Sequence, residues 1–290
     1  MKRKYFQEIR FEEWDDHEWE FDFPRVGDEE LDELDEGIEC MARAPRVAED
    51  IFRKLLKKTP EFIDARHHLA LICYGSPMFR RREARELWEE IAETLLAVAP
   101  AEFQIGRDTV SWGMIENRPY LRAMHSLACL NLDEGQYGAA QNQLEELLLL
   151  DPADSLGCRG MLPACYFERR RAPAVLELAG KYPDDMLPDF VWSVILARFQ
   201  MGMLDEARAL LKIAAGHQRN ILRIIRRGKK PTVRRGQDDD DRDYEIGSVA
   251  EAADFWRRNA RYWLETPGAI EFIQALDEGE MGARCAGVIG

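Results

Sequence analysis

An alanine followed four residues later by a large apolar side chain recurs along this sequence, and no other feature restricts the fold as much. Ala48, Phe52 and Pro60 make one set, and Ala140, Leu144 and Pro152 repeat it. Ala174 and Leu178 fit with Pro183 three residues early, while Ala84 with Trp88 and Ala207 with Leu211 fit without the proline. The steps are 36 residues from 48 to 84, 34 from 140 to 174 and 33 from 174 to 207. The gap of 56 between 84 and 140 is one 34-residue period plus a 22-residue insertion. A helical hairpin explains the pattern. The small residue lets two helices approach closely, and the apolar residue one turn later packs into the neighbour.

The turns fit the same unit. Gly135 and Tyr137 stand before Ala140 at the same distances as Gly202 and Leu204 before Ala207. Asp151-Pro152 ends a second helix, because proline restricts the residue before it and supplies no donor. These residues resemble the tetratricopeptide consensus, with its 34-residue period, its Gly-x-Tyr-x-x-Ala turn and its terminal Asp-Pro. The likeness covers residues 29–217 and is densest from Gln136 to Asp154; the consensus tryptophan and glycine of the first helix are mostly missing. It implies an all-α fold: a right-handed α-α superhelix of about five tetratricopeptide-like hairpins, with an insertion near 98–119 and a C-terminal helical extension over 218–276. A generic array of helical hairpins is the alternative.

A second likeness begins where the repeats end. Asn220 to Pro231 is followed by an acidic linker, then by Gly247 to Trp256 and Trp263 to Ile270. That order resembles the C-terminal half of the suppressor of tumorigenicity 7 family and its soluble microbial relatives. The animal members are membrane proteins, but no apolar run here approaches the roughly 18–20 residues that span a bilayer. The longest candidate, Phe190 to Ala197, is far too short and is followed by Arg198. The six scattered cysteines form no Cys-x-x-Cys pair, which points to reduced, buried thiols and a cytoplasmic protein.

Charge is distributed unevenly. The formal net charge is −14, which disfavours nucleic acid as the main partner. Residues 1–36 hold fifteen acidic and five basic side chains, with Phe11, Trp14, Trp19, Phe21 and Phe23 among them. High charge without a helical period predicts an extended arm over 1–28, acting either as a cap on the first repeat or as a docking segment. A basic run, Arg219, Arg223, Arg226, Arg227, Lys229, Lys230, Arg234 and Arg235, follows the repeats, and Asp238 to Asp241 come soon after. This charged linker spans 229–246, and a flexible glycine-containing tail is expected over 277–290. The basic run is open to neutralisation within the chain, to an acidic partner or to the arm itself.

Catalytic signatures are missing: there is no His-Glu-x-x-His and no phosphate loop. His125 and Cys129 have metal-compatible helical spacing but no second pair to complete a site. Adjacent His67 and His68 point about 100° apart on a helix. No cofactor and no metal are therefore expected. In tetratricopeptide arrays the first helix of each hairpin lines the concave face. Aligned on that family, Arg122, His125, Arg159, Tyr166, Trp192 and Phe199 face it, which suits a protein or peptide partner. Trp192 and Phe199, seven apart on one helical face, fit an inter-repeat core equally well. The expected function is an adaptor that binds a partner segment in the groove. The alternatives are a self-regulated binder, whose acidic arm docks on 219–235, and an enzyme or nucleic-acid-associated factor with an unrecognised site.

Overall fold

A computed structural model describes residues 6–76, 80–229 and 245–276. Lys230, most of the charged linker and the expected tail over 277–290 lie outside them. Thirteen α-helices and one two-stranded antiparallel sheet make up the described residues. The protein is therefore mostly helical, consistent with the all-α class, with one short hairpin as its sheet. It divides into two compact units, Met1–Cys158 and Arg159–Gly290.

The first unit opens with β1 (Arg10–Asp15) and β2 (Glu18–Asp22), followed by α1 (Asp28–Met41), α2 (Pro45–Lys58), α3 (Ile63–Gly75), α4 (Arg81–Val98), α5 (Arg118–Asp133) and α6 (Tyr137–Leu150). α1 packs on α2, α3 on α4 and α5 on α6, and successive hairpins touch through α2–α3 and α4–α5. First helices also meet one another, α1 with α3 and α3 with α5. Local chemistry sets the boundaries. Prolines Pro45 and Pro119 sit in the first turns of α2 and α5, where a missing N–H costs nothing. Gly135, with φ 71°, makes the left-handed turn between α5 and α6.

The second unit contains α7 (Cys158–Glu168), α8 (Ala172–Lys181), α9 (Pro188–Gln200), α10 (Leu204–His217), α11 (Arg219–Arg227), α12 (Val249–Glu265) and α13 (Ala269–Gln274). α9 packs on α8 and on α10, and α11 packs on α12 and α13. The repeated alanines Ala48, Ala84, Ala140, Ala174 and Ala207 fall near the start of α2, α4, α6, α8 and α10, and all are buried. Phe52, Trp88, Leu144, Leu178 and Leu211, one turn on, are buried with them. The period thus falls on every second helix from α2 to α10.

The N-terminal segment is not an extended arm. Phe11 pairs with Phe21 across the β-hairpin, and Phe11, Trp19 and Phe21 are buried. β2 alternates Trp19 and Phe21 inward with Glu18, Glu20 and Asp22 between them, a period of two that marks a strand. The insertion between α4 and α5 forms no long helix; it covers this hairpin. Phe103 meets Phe11 and Trp19 edge-on at 5.1 and 5.6 Å. Thr109 donates its N–H to the His17 carbonyl (2.8 Å) and accepts from the Trp19 N–H (2.9 Å). Asn117 donates Nδ2 to the Trp19 carbonyl and accepts from the Phe21 N–H. Each segment satisfies the other's backbone, and Phe21 seats the pair on Tyr120 of α5.

Candidate functional site

Two of the six expected groove residues stand on α5 in the first unit. Arg122, His125, Ser126 and Cys129 are half-buried and recur every three or four residues, making a strip along one side of the helix. α3 supplies Asp64, His68, Leu71 and Ile72 beside it. Arg122 Nη2 donates to both oxygens of Asp64, at 3.1 and 3.2 Å. His68 Nδ1 lies 2.9 Å from the Asp64 carbonyl and 3.3 Å from its carboxylate. Burial works to raise the Asp64 carboxyl, but His68 and Arg122 hold it below the usual carboxylate range. The result is a fixed anion bridging two helices, with a guanidinium on its outer side.

Two polar atoms in this strip are unsatisfied. Arg122 Nε and His125 Nε2 are buried, and neither has a hydrogen-bond partner. His125 Nδ1 sits 3.8 Å from the Cys129 Sγ. The tautomer that accepts the thiol hydrogen at Nδ1 places the ring proton on Nε2. Burial depresses the His125 pKa, against the pull of Asp154, and so favours the neutral ring. In that tautomer, two N–H donors three residues apart on one helix are buried without a hydrogen-bond partner. A buried unpaired donor carries a desolvation cost of about 1–3 kcal/mol, which a ligand acceptor would remove.

The second unit treats its four expected residues differently. Trp192 is wholly buried, donates Nε1 to Gln218 Oε1 (2.5 Å) and packs against Phe255 and Trp263. Phe199 stacks at 5.0 Å on Phe272 of α13. Tyr166 is buried under Arg171. Arg159 pairs with Asp185 and lies over the Tyr182 ring at 5.2 Å. Trp192 is covered by α12, which packs on α9 and reaches α7 through side chains. The Tyr262 hydroxyl donates to the Ala164 carbonyl, Arg261 pairs with Glu168 at 2.6 Å, and Arg258 and Asn259 both reach Asp189. Four aromatic side chains of α12, Phe255, Trp256, Tyr262 and Trp263, are buried in the same core. Trp192 is therefore core and not groove. Of the four, Trp192 meets α12 and Phe199 meets α13, while Arg159 and Tyr166 have partners between residues 171 and 185.

The basic segment is split as well. Arg219, Arg223 and Arg227 follow one another at four-residue spacing on the exposed side of α11, and Lys229 is exposed beyond its end. Arg226 turns inward and donates to the carbonyls of Ile273 and Leu276, closing the end of α13. Of the five aromatic side chains of the N-terminal segment, Phe11, Trp19 and Phe21 are buried in the first unit, Phe23 is half-buried and Trp14 is exposed.

The remaining candidates have structural partners. His67 Nδ1 accepts from Trp88 Nε1 at 3.2 Å. Burial pushes the thiol of Cys73 up to about 11 and that of Cys158 higher still, leaving both inert as nucleophiles. Sequence reasoning named Arg122 and His125 but missed Asp64 and His68, whose only signal was a carboxylate and a histidine at i, i+4 on α3. Among the described residues no helix is long and apolar enough to cross a membrane. Compared with known proteins, the chain matches no family model, and no curated protein shows significant sequence similarity to it.

Proposed function

We propose that this protein is an interaction module that receives an extended segment of a partner protein on the α3–α5 face of its first unit. Arg122 and His125 are the anchor, and the group they take is a carboxylate. The observation that carries this is the pair of buried, unpartnered donors, Arg122 Nε and His125 Nε2. Buried alanines at repeat spacing on every second helix from α2 to α10 support a tetratricopeptide-like right-handed superhelix as the frame. The free thiols of Cys40, Cys73 and Cys158 suit a reducing compartment such as the cytoplasm.

Charge narrows the partner. Residues 1–158 hold 34 acidic and 19 basic side chains, so the field around this unit repels a strongly acidic segment. The preferred ligand carries one acidic group at the anchor and neutral or basic flanks. Selection from a displayed random-peptide library should return such sequences. Arg122→Glu should weaken the selected peptides roughly 10–100-fold, the scale of a charge-assisted hydrogen bond turned into repulsion. Equal binding to the variant, with an unchanged circular dichroism spectrum, would remove this site from consideration.

A further inference from the structure

The turn of the β-hairpin brings three acceptor atoms together. Ligand atoms of Glu13, Asp16 and His17 all lie within 4.8 Å of one another on the protein surface. Glu13 Oε1 accepts the His17 backbone N–H at 3.2 Å, and Asp16 Oδ1 is 3.6 Å from His17 Nε2. Among the described residues neither carboxylate forms an ion pair with a lysine or an arginine.

A fourth residue, from a segment 91 positions away, decides what the imidazole offers. His17 Nδ1 lies 2.7 Å from Oδ1 of Asp108, whose side chain is completely buried. Arg107 grips both oxygens of that carboxylate, and the Gln104 N–H donates to one of them at 2.6 Å. Asp108 is thereby held ionised, well below the usual carboxylate range, chiefly by Arg107. With Nδ1 engaged by Asp108, Nε2 is the ring nitrogen turned toward Asp16 and Glu13, and it converges there with their carboxylates. A histidine whose outer nitrogen is fixed by a buried carboxylate is the arrangement that orients a metal-binding ring.

We propose that this turn is a binding site for a divalent transition metal of the zinc class, held by His17 Nε2 and the carboxylates of Asp16 and Glu13, with Asp108 as the group that positions the ring. One imidazole nitrogen with two carboxylates favours zinc over magnesium or calcium, which prefer all-oxygen sets. Three protein ligands leave further coordination positions to water. Metal binding here would tie the hairpin turn, and through Asp108 the insertion between α4 and α5, into one rigid tip.

Calorimetric titration of chelator-treated full-length protein with zinc chloride at pH 7.5 tests this, with magnesium chloride as the comparison. One zinc per chain should bind, and magnesium should not compete at a hundredfold excess. His17→Ala should abolish the heat of binding, and Glu13→Gln with Asp16→Asn should do the same. Asp108→Asn should weaken zinc roughly 10–100-fold, because the ring loses its fixed orientation. The exposed variants keep the folded state testable by their thermal melting, whatever Asp108→Asn does to stability. Absence of zinc binding to the wild-type chain would overturn the proposal and leave the Asp108–His17 contact as a purely structural tie between hairpin and insertion. Undiminished zinc binding in His17→Ala would overturn it too, by placing the metal elsewhere.

Discussion

His67 shows how a single side chain ties this fold to pH. It is buried on α3 and accepts the indole hydrogen of Trp88. Burial, helped by His68 and opposed by Asp64, lowers its pKa from 6.5 to about 3. The native ring is therefore neutral, whereas the unfolded ring gains a proton as pH falls below about 6.5. Its contribution to stability is complete above that pH and declines steadily down to about 3, by up to ~1.4 kcal/mol per pH unit. Between pH 7.5 and 5 this amounts to about 2 kcal/mol. Urea melts at the two pH values should show that loss in the wild type. His67→Gln keeps an acceptor for Trp88 and does not titrate, so its loss should be smaller by about the same amount. Identical pH slopes in the two proteins would mean that His67 is not the group responsible.

Between elements, the closest approach tested by a glycine is that of α1 and α2. Gly37 lies in the middle of α1, and a methyl group there would come within 2.9 Å of Phe52 Cζ and nearer still to Cε1. Phe52 is the large apolar residue of the first repeat set and is fully buried, so its ring has no room to swing aside. Two effects of a Gly37→Ala change oppose each other. Alanine favours the helix by about 1 kcal/mol. Overpacking costs roughly 1–3 kcal/mol, and the severity of the overlap puts it at the upper end. The variant should be less stable by about 1–2 kcal/mol in a urea melt. A neutral or stabilised protein would show that α1 and α2 shift apart freely.

At the scale of the whole molecule, the two units treat their helix faces differently. In the first, the strip on α3 and α5 keeps polar side chains at its surface and two donors unpaired. In the second, α12 packs on α9 with its aromatic side. Trp263 is the deepest of these contacts, meeting Trp192 at 6.2 Å. Trp263→Ala should cost about 3–5 kcal/mol and leave a large cavity. Amide exchange in α9 and α11, which share that core, should accelerate as α12 loosens. Unchanged protection in both helices would show that α12 rests on the surface and does not complete the core.

The predominance of helix and the burial of the recurring alanines were legible in the residues themselves. Neighbouring helices are held by contacts a few to a few tens of residues apart, so their spacing is written in consecutive sequence. Position within that spacing also singled out Arg122 and His125, which the structure places together on α5. The pairing of the N-terminal hairpin with the insertion was not legible, because Trp19 and Asn117, or His17 and Asp108, are more than 90 positions apart. The alternation at Trp19 and Phe21 was a usable strand signal, but acidic neighbours hid it. The fate of Trp192 was undecided for a related reason. An aromatic residue on a helix faces a groove or a core according to what covers it, and α12 arrives from 70 residues further along. Local spacing therefore determined the helical unit, while only the tertiary structure decided which faces remain open, since that depends on distant segments burying apolar area together.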